Sequence, residues 1–357
     1  MSRFLKKEYE NLEPYTPGEQ PQNIKLIKLN TNENPYPPSP KVIQAIEGAN
    51  LEDLRRYPDP GVANLVQAIT GYYQVDTDQV MVGNGSDEVL AFAFMAFQNP
   101  DKKIYFPQIS YGFYPVYGDV FGANWEGIPL TEDLRINPED YKNLEGTIVI
   151  ANPNAPTGIA LTLDEIEAIV ASNRENLVVI DEAYVDFGGE TAIYLTQKYD
   201  NLLVIQTFSK SRSLAGSRIG FAVGSSEIIS DLNKIKFSFN PYNINKLTIL
   251  AATAAIKDKK YFRQTRDKIM KTRENFGKEL TNLGFTVLPS SANFVFCKSN
   301  QISGLKYFTE LGERNIIVRH FNKKHIRDYV RITIGREEEM VKLLEVTKAI
   351  LNEGDIR

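Results

Sequence analysis

A series of short apolar segments between residues 78 and 224 constrains the fold more than any other feature of the sequence. These segments span residues 80–82, 103–106, 147–150, 177–180 and 202–207, and each has the length of one buried strand. Most of them show no alternation of polar and apolar residues, which is typical of strands covered on both faces. Because helical stretches such as residues 163–172 lie between them, the pattern predicts an α/β fold with a mostly parallel sheet flanked by helices.

The sequence changes in character after Pro241. A charged, helix-rich stretch covers residues 243–283, followed by short predicted strands near 286–288, 294–297, 316–319 and 329–333 and helices at 302–313 and 336–352. This mixture is typical of a smaller α+β domain. We therefore expect an N-terminal arm over residues 1–30, a large domain over 49–253, and a smaller domain formed by 31–48 together with 254–357.

Composition narrows the class of protein. The net charge of -4 argues against a broad nucleic-acid interface, because such an interface needs a basic face. Cys297 is the single cysteine, so an intrachain disulfide is excluded and a reducing cytosol is the expected environment. No segment approaches the roughly 18 apolar residues of a membrane helix, and residues 1–10 lack the apolar core of a signal peptide. We expect a cytoplasmic protein with no nucleic-acid or membrane partner.

Polar residues follow four of the predicted strands at the point where each strand ends. They lie at positions 83–87, 152–158, 181–184 and 209–211. In open parallel sheets, ligands bind at the carboxyl ends of the strands, which meet at one edge. The sequence therefore predicts a binding site at this edge.

Lys210 follows the last of these strands and has small hydroxyl residues around it. A lysine beside a buried strand end fits a Schiff-base role, in which its amine binds a carbonyl carbon. The hydroxyls of Thr207, Ser209 and Ser211 and the guanidinium of Arg218 form a set of donors suited to a phosphate dianion. An exposed lysine in a polar loop is the alternative interpretation of Lys210 alone.

Three motifs resemble those of the class-II aminotransferases, which have the fold-type-I pyridoxal-phosphate architecture. They are residues 207–216, which contain Lys210, the pattern Asn-Pro-x-x-Pro-Thr-Gly at 152–158, and Asp-Glu-Ala-Tyr at 181–184. The resemblance extends from about Tyr15 to Arg336. It implies an enzyme that transfers amino groups with pyridoxal 5'-phosphate as cofactor, bound covalently by Lys210.

The resemblance assigns roles around the cofactor. Asp181 faces the pyridine nitrogen and keeps it protonated, and Tyr184 donates to the phenolate oxygen. Tyr111 stacks on the ring, and Tyr57 reaches the cofactor phosphate of a neighbouring subunit, which implies a homodimer with shared active sites. The expected phosphate contacts are Gly85, Ser86, Asp87, Thr207, Ser209 and Arg218.

One position departs from the family pattern. The family has an asparagine directly before Pro-Thr-Gly, where it donates to the phenolate oxygen, but this chain has Ala155. Asn154 is one residue earlier, and we include it among the expected cofactor contacts.

The expected substrate contacts are similar to those of the family's histidinol-phosphate branch. They are Tyr15, Asn32, Arg319 and Arg331. Arginines form forked contacts with either phosphate or carboxylate, so one cluster serves a phosphate-bearing amino donor and then glutamate or 2-oxoglutarate. This branch acts in histidine biosynthesis. The sequence has no cluster with metal-ligand spacing, so no metal is expected.

Three other functions remain open from the sequence. An aromatic amino acid aminotransferase and a threonine-phosphate decarboxylase would keep the cofactor and change the substrate or the reaction. A non-catalytic sensor with the same fold would bind the cofactor without turnover. The first would use phenylalanine or tyrosine without preferring a phosphate ester, and the second would release carbon dioxide.

Overall fold

The protein is described by a computed structural model that covers residues 2–20 and 26–354. The helices are α1 (Pro40–Glu47), α2 (Ala63–Tyr73), α3 (Gly85–Phe97), α4 (Phe113–Phe121), α5 (Leu163–Ser172), α6 (Ser226–Phe239), α7 (Lys246–Lys257), α8 (Lys259–Asn282), α9 (Gly304–Glu313) and α10 (Glu337–Gly354). The strands are β1 (Ile27–Lys28), β2 (Val80–Gly83), β3 (Lys103–Pro107), β4 (Trp125–Ile128), β5 (Gly146–Ala151), β6 (Val178–Asp181), β7 (Leu202–Thr207), β8 (Gly220–Val223), β9 (Phe285–Val287), β10 (Phe294–Ser299), β11 (Ile316–Ile317), β12 (Arg319–His320) and β13 (Val330–Thr333). Within the described ranges, none of the helices has both the length and the apolar content that crossing a bilayer requires.

The five apolar segments between residues 78 and 224 all form strands of one seven-stranded sheet. Its strand order is β2-β8-β7-β6-β5-β3-β4, and the strands from β7 to β4 pair in parallel. Strand β8 runs antiparallel to both of its neighbours, β2 and β7. The predicted fold class is confirmed, although β4 and β8 were not predicted. Both are four residues long, and the exposed Trp125 and Glu126 of β4 give no apolar run.

Both faces of this sheet are apolar and covered, which explains the lack of polar alternation. On β6, Val178 and Ile180 pack into one core cluster, whereas Val179 packs into the cluster on the opposite face. Leu202 and Leu203 of β7 divide between the same two clusters. A strand between two helical layers buries every side chain, so its sequence is apolar throughout.

A second, four-stranded antiparallel sheet has the order β12-β13-β10-β9. It packs with helices α8, α9 and α10 around a separate core cluster. The predicted single strand at 316–319 is wrong. Ile316–Ile317 pairs with β1 in a two-stranded sheet, and Arg319–His320 pairs with β13.

The predicted domain boundaries stay a prediction, and the packing of two early segments bears on them. Strand β1, within the predicted N-terminal arm, pairs in parallel with β11 of the carboxyl-terminal region. Val42 of α1, within the segment expected in the smaller domain, packs into the core cluster of the large sheet.

The start of α3 lies directly against the first residue of β8. Gly220 pairs with Thr207 on one side and with Gly83 on the other. A Cβ atom at Gly220 would lie 2.4 Å from the backbone nitrogen of Ser86. Only a residue without a side chain permits this approach of a helix start to a sheet.

We predict that Gly220→Ala lowers the free energy of unfolding by about 2 kcal/mol or more, because the added methyl group meets backbone that cannot rotate away. Gly71→Ala is the matched control. Gly71 lies in α2 with nothing within 4 Å of an added Cβ. That exchange should raise stability by about 0.5–1 kcal/mol. Urea denaturation measures both, and equal effects of the two variants would contradict the close packing at Gly220.

Candidate active site

A cavity of about 160 Å³ lies at the edge where the carboxyl ends of β5, β6 and β7 meet. Nine residues predicted from the sequence line it: Ser86, Asp87, Tyr111, Asp181, Tyr184, Thr207, Ser209, Lys210 and Arg218. The predicted convergence of strand ends therefore brings these side chains into one site. Thr31, Glu33, Ala151, Ala155, Ala183 and Ala215 complete the lining.

Lys210 is oriented by the segment that precedes α1. Its Nζ donates to the carbonyl of Thr31 at 3.1 Å and lies 5.7 Å from the centre of the Tyr184 ring. The side-chain amide of Asn34 donates to the carbonyls of Lys210 and Ser211 at 3.0 and 3.2 Å. Residues 31 and 34 thus hold both the amine and the backbone of Lys210, whose side chain lines the cavity.

Asp181 ends β6 and is almost completely buried, with 4% of its surface exposed. Its carboxylate accepts from the Tyr114 hydroxyl at 2.9 Å and from the Ala183 N–H at 3.2 Å. Burial raises the pKa of Asp181 from 3.8 to about 6, and the hydrogen bond from Tyr114 opposes that shift. A cationic group in the cavity would offset the cost of burial and keep this carboxylate ionised.

Donors for an anion converge at the other end of the cavity. Helix α3 begins at Gly85, the side chain of the preceding Asn84 does not cap it, and Ser86 and Asp87 of its first turn line the cavity. Arg218 donates to the Ser209 hydroxyl at 3.3 Å. An added Cβ at Gly85 would lie 2.5 Å from Nη2 of Arg218, so the missing side chain allows the guanidinium to lie on the helix start. This arrangement suits a phosphate group.

The carboxylate of Asp87 is already paired within the site. It accepts from the Tyr111 hydroxyl at 2.7 Å and from Arg218 at 2.9 Å. Burial, followed by the nearby charge of Asp87, raises the pKa of Tyr111 far above its usual value, so this phenol stays protonated. Asp87 therefore offers an anion its backbone N–H and anchors the two side chains next to it.

A larger cavity of about 880 Å³ shares the walls formed by Lys210, Tyr184 and Tyr111. The four expected substrate residues, Tyr15, Asn32, Arg319 and Arg331, all line it. Lys210 therefore lies between a group of donors suited to a phosphate in the smaller cavity and the arginines that line the larger cavity.

Arg331 lines the larger cavity with a guanidinium whose N–H groups are not all hydrogen-bonded in the part of the chain that the structure describes. Its Nη2 donates to the Asn30 carbonyl at 2.9 Å, while among the described residues no acceptor meets its buried Nε. Burial lowers the pKa of Arg331, because the charged form has lost water contacts. An anion bound here would supply the missing acceptor. Arg319 lies nearby and donates to the Thr16 carbonyl at 3.2 Å, which ties the N-terminal segment over the cavity.

The side chain of Asn154 is hydrogen-bonded to neighbouring residues of the protein. It is buried, and its amide donates to the Ile109 carbonyl at 3.0 Å and to the Thr157 hydroxyl at 3.3 Å. Its oxygen accepts from Ser110 at 2.7 Å. The side chain lines neither cavity, whereas Ala155 lines both, so the expected contact of Asn154 with the cofactor stays a prediction.

Tyr57 lies outside the site of its own chain. Its side chain is 81% exposed and stacks on Tyr242, with ring centres 4.5 Å apart. It lines neither cavity. Its expected contact with a neighbouring subunit therefore stays a prediction.

Several residues of the site were missed from the sequence. Thr31, Glu33 and Asn34 lie beside Asn32, which was predicted, but they were not themselves predicted, and neither was Tyr114. The signal for the first three was the dense run of asparagines at 30, 32 and 34, since asparagine amides satisfy backbone groups in irregular segments. Tyr114 lies in α4, and no local pattern connects it with Asp181.

We predict that Asp181→Asn stabilises the ligand-free protein above pH 6. In the wild type the folded state binds more protons than the unfolded state between the ordinary pKa of 3.8 and the raised pKa of about 6. Wild-type stability therefore falls as pH rises through that window, and the variant escapes a loss of about 1–3 kcal/mol. Urea unfolding at several pH values measures the difference. The exposed Asp101→Asn serves as control, and a gain that does not grow from pH 4 to 6 would contradict the prediction.

Comparison with known proteins identifies the family. A family model described as aminotransferase class I and II matches residues 24–346. The histidinol-phosphate aminotransferase of Brachyspira hyodysenteriae is 51% identical over 352 residues, which cover 98% of this chain and 99% of that protein.

Solved structures share the fold. The histidinol-phosphate aminotransferase from Clostridium acetobutylicum superposes with a TM-score of 0.83 at 26% identity, over 92% of this chain and 100% of that one. The Sinorhizobium meliloti histidinol-phosphate aminotransferase in complex with pyridoxal-5'-phosphate gives a TM-score of 0.82 at 23% identity, over 91% of each chain, and supports the fold alone. By its sequence and its structure, the chain belongs to the class I and II aminotransferase family.

Proposed function

We propose that this chain is a pyridoxal-phosphate-dependent histidinol-phosphate aminotransferase, which exchanges an amino group between histidinol phosphate and 2-oxoglutarate or glutamate in histidine biosynthesis. The observation that carries the proposal is the position of Lys210. It lies between a group of donors suited to a phosphate and a cavity lined by Arg331 and Arg319. The Brachyspira hyodysenteriae relative, which is 51% identical and matches 99% of its own length, is named histidinol-phosphate aminotransferase. A cytoplasmic location agrees with the single cysteine, which is free and buried.

The smaller cavity fits the cofactor at three points. Asp181 is a buried carboxylate that forms no salt bridge with the described residues, and it suits the pyridinium nitrogen. The start of α3, Ser209 and Arg218 suit the phosphate, and Lys210 suits the aldehyde carbon. When bound, the cofactor supplies an electron sink for negative charge on the substrate carbon.

The residues of this chain supply the remaining chemistry. Nζ of Lys210 would hold the cofactor through its aldehyde carbon and, once released, would serve as the base and acid that moves a proton at the substrate carbon. The Tyr184 hydroxyl would donate a hydrogen bond to the phenolate oxygen of the cofactor. The Asp181 carboxylate would face the ring nitrogen and favour its protonated form, because opposite charges attract more strongly where water is excluded.

The larger cavity suits both half-reactions. Histidinol phosphate has an amine and a phosphate but no carboxylate, whereas glutamate has two carboxylates. Arg331 has a buried, unmatched N–H, and Arg319 donates to carbonyls that an anion would displace. Forked guanidinium donors accept either anion, so one cluster serves the two substrates in turn. Tyr15, stacked on Phe113 at 4.2 Å, forms an apolar wall for the imidazole ring.

The proposed homodimer is supported by an exposed apolar surface around Tyr57. Residues 51–57 and 237–242 expose large apolar side chains, namely Leu51, Leu54, Tyr57, Phe237, Phe239 and Tyr242. The Tyr57–Tyr242 stacking and the ion pair between Lys246 and Asp53 join the two segments. Such exposed groups of apolar side chains are typical of subunit interfaces.

We predict that histidinol phosphate converts the cofactor-bound protein at least about 10-fold faster than phenylalanine does, because its phosphate carries more negative charge and more acceptor oxygens for the arginines than the carboxylate of phenylalanine does. Stopped-flow absorbance of the bound cofactor measures both rates. Lys210→Ala is the control and should slow the exchange by about 10²–10⁴-fold or more. Faster reaction with phenylalanine would reject the substrate, and normal rates in Lys210→Ala would reject the mechanism. Release of carbon dioxide from threonine phosphate would favour the decarboxylase instead.

We predict that two defective variants complement each other if Tyr57 acts on the partner subunit. A hybrid of Lys210→Ala and Tyr57→Ala protomers has one site with both defects and one site with neither. Random reassociation after unfolding should restore about a quarter of the wild-type sites. The activity of the mixture at limiting cofactor measures this recovery. Each variant refolded alone is the control, and a mixture no more active than the two controls would show that Tyr57 does not act across the interface.

A further inference from the structure

The side chain of Asn32 contacts the phenol of Tyr184, whose ring centre lies 5.7 Å from Nζ of Lys210. Its Nδ2 donates to the hydroxyl oxygen of Tyr184 at 2.8 Å. Asn32 is 1% exposed, and its φ of 58° lies in the left-handed region, which asparagine adopts more readily than most residues. The contact is therefore made by a residue whose backbone and side chain are both confined.

Strand β13 fixes the orientation of this amide. The Thr333 hydroxyl accepts from the backbone N–H of Asn32 at 3.0 Å and donates its single proton to Oδ1 of Asn32, also at 3.0 Å. Asn293 donates to the Asn32 carbonyl at 2.9 Å. Since Oδ1 is bound to Thr333, the amide nitrogen faces Tyr184.

The hydrogen bond decides where the proton of Tyr184 points. A phenol has one proton and can also accept. When its oxygen accepts from Asn32, the proton remains free for the cavity, and the accepted bond strengthens Tyr184 as a donor. Ala155, which packs beside Tyr184, presents only a methyl group to the same cavity.

We propose that Asn32 is a positioning residue that orients and strengthens Tyr184 as the donor to the ring oxygen of the cofactor, with Thr333 holding Asn32 in place. This inference rests on the proposed function and deepens it. It moves Asn32 from the expected substrate contacts to the support of the cofactor. Arg331 is two positions before Thr333 on β13, so the strand that supplies the anion contact also supplies this support.

The test follows the absorbance of the bound cofactor against pH without any substrate. Asn32→Gly removes the amide and tolerates the positive φ. A weaker donor leaves the negative charge on the ring oxygen of the cofactor less stabilised. The proton on the nitrogen that Lys210 contributes to the bound cofactor is then held more tightly by that oxygen. The pH midpoint of the absorbance change should therefore rise by about 0.5–1 unit in Asn32→Gly and by about 1–2 units in Tyr184→Phe.

Two further variants make the result decisive. Thr333→Val keeps the amide but removes the group that orients it, so its midpoint should rise less than that of Asn32→Gly. If Asn32→Gly does not fold, Thr333→Val decides the matter. In the Tyr184→Phe background, Asn32→Gly should add no further shift, since both act on one hydrogen bond.

An unchanged midpoint in a folded Asn32→Gly or Thr333→Val protein, while Tyr184→Phe shifts it, would overturn the inference. A full shift by Asn32→Gly in the Tyr184→Phe background would also overturn it, because the effect would not pass through Tyr184. A wild-type protein that shows no cofactor absorbance would instead reject the proposed function.

Discussion

The parallel register of β5, β6 and β7 is the constraint on which the site depends. Ala151 pairs with Asp181, and Asp181 pairs with Ile205, so β5 and β6 end at one level and β7 extends two residues beyond it to Thr207. The antiparallel β8 then brings Gly220 between Gly83 and Thr207, beside the start of α3. A one-residue slip in any of these pairs would turn every side chain of the shifted strand to the opposite face of the sheet. Hydrogen bonding of the backbone thus fixes the distance between Lys210, Asp181 and the helix start.

The site retains charges that the protein alone does not balance. Burial raises the pKa of Asp181 and lowers that of Arg331, so each is held in a state that a ligand of opposite charge would relieve. Perturbed groups of this kind are concentrated at functional sites, and they reduce the stability of the ligand-free fold. Asp181 lies on the wall of the smaller cavity and Arg331 on the wall of the larger one, so a cationic group of one ligand and an anionic group of another would relieve them separately.

The sequence predicted the features that depend on strand ends, and it failed where distant segments meet. Lys210 and Asp181 follow apolar runs, so their place at the sheet edge follows from the pattern. Tyr114 reaches Asp181 across 67 positions, and no local signal reveals such a contact. The sequence did not show that Asn154 lines neither cavity, because adjacent residues in an irregular segment point in different directions. The short β8 was missed because four residues that begin with glycine give too weak a pattern.

The contacts of Asn30 and Asn32 have a consequence for how the molecule is made. Asn30 meets Arg331, and Asn32 meets Thr333, and each pair is separated by 301 positions. A ribosome therefore delivers the seven strands of the large sheet, together with Lys210 and Arg218, before either pair can form. The residues on the phosphate side of the site are therefore synthesised well before β13, the strand that completes the wall that meets the substrate.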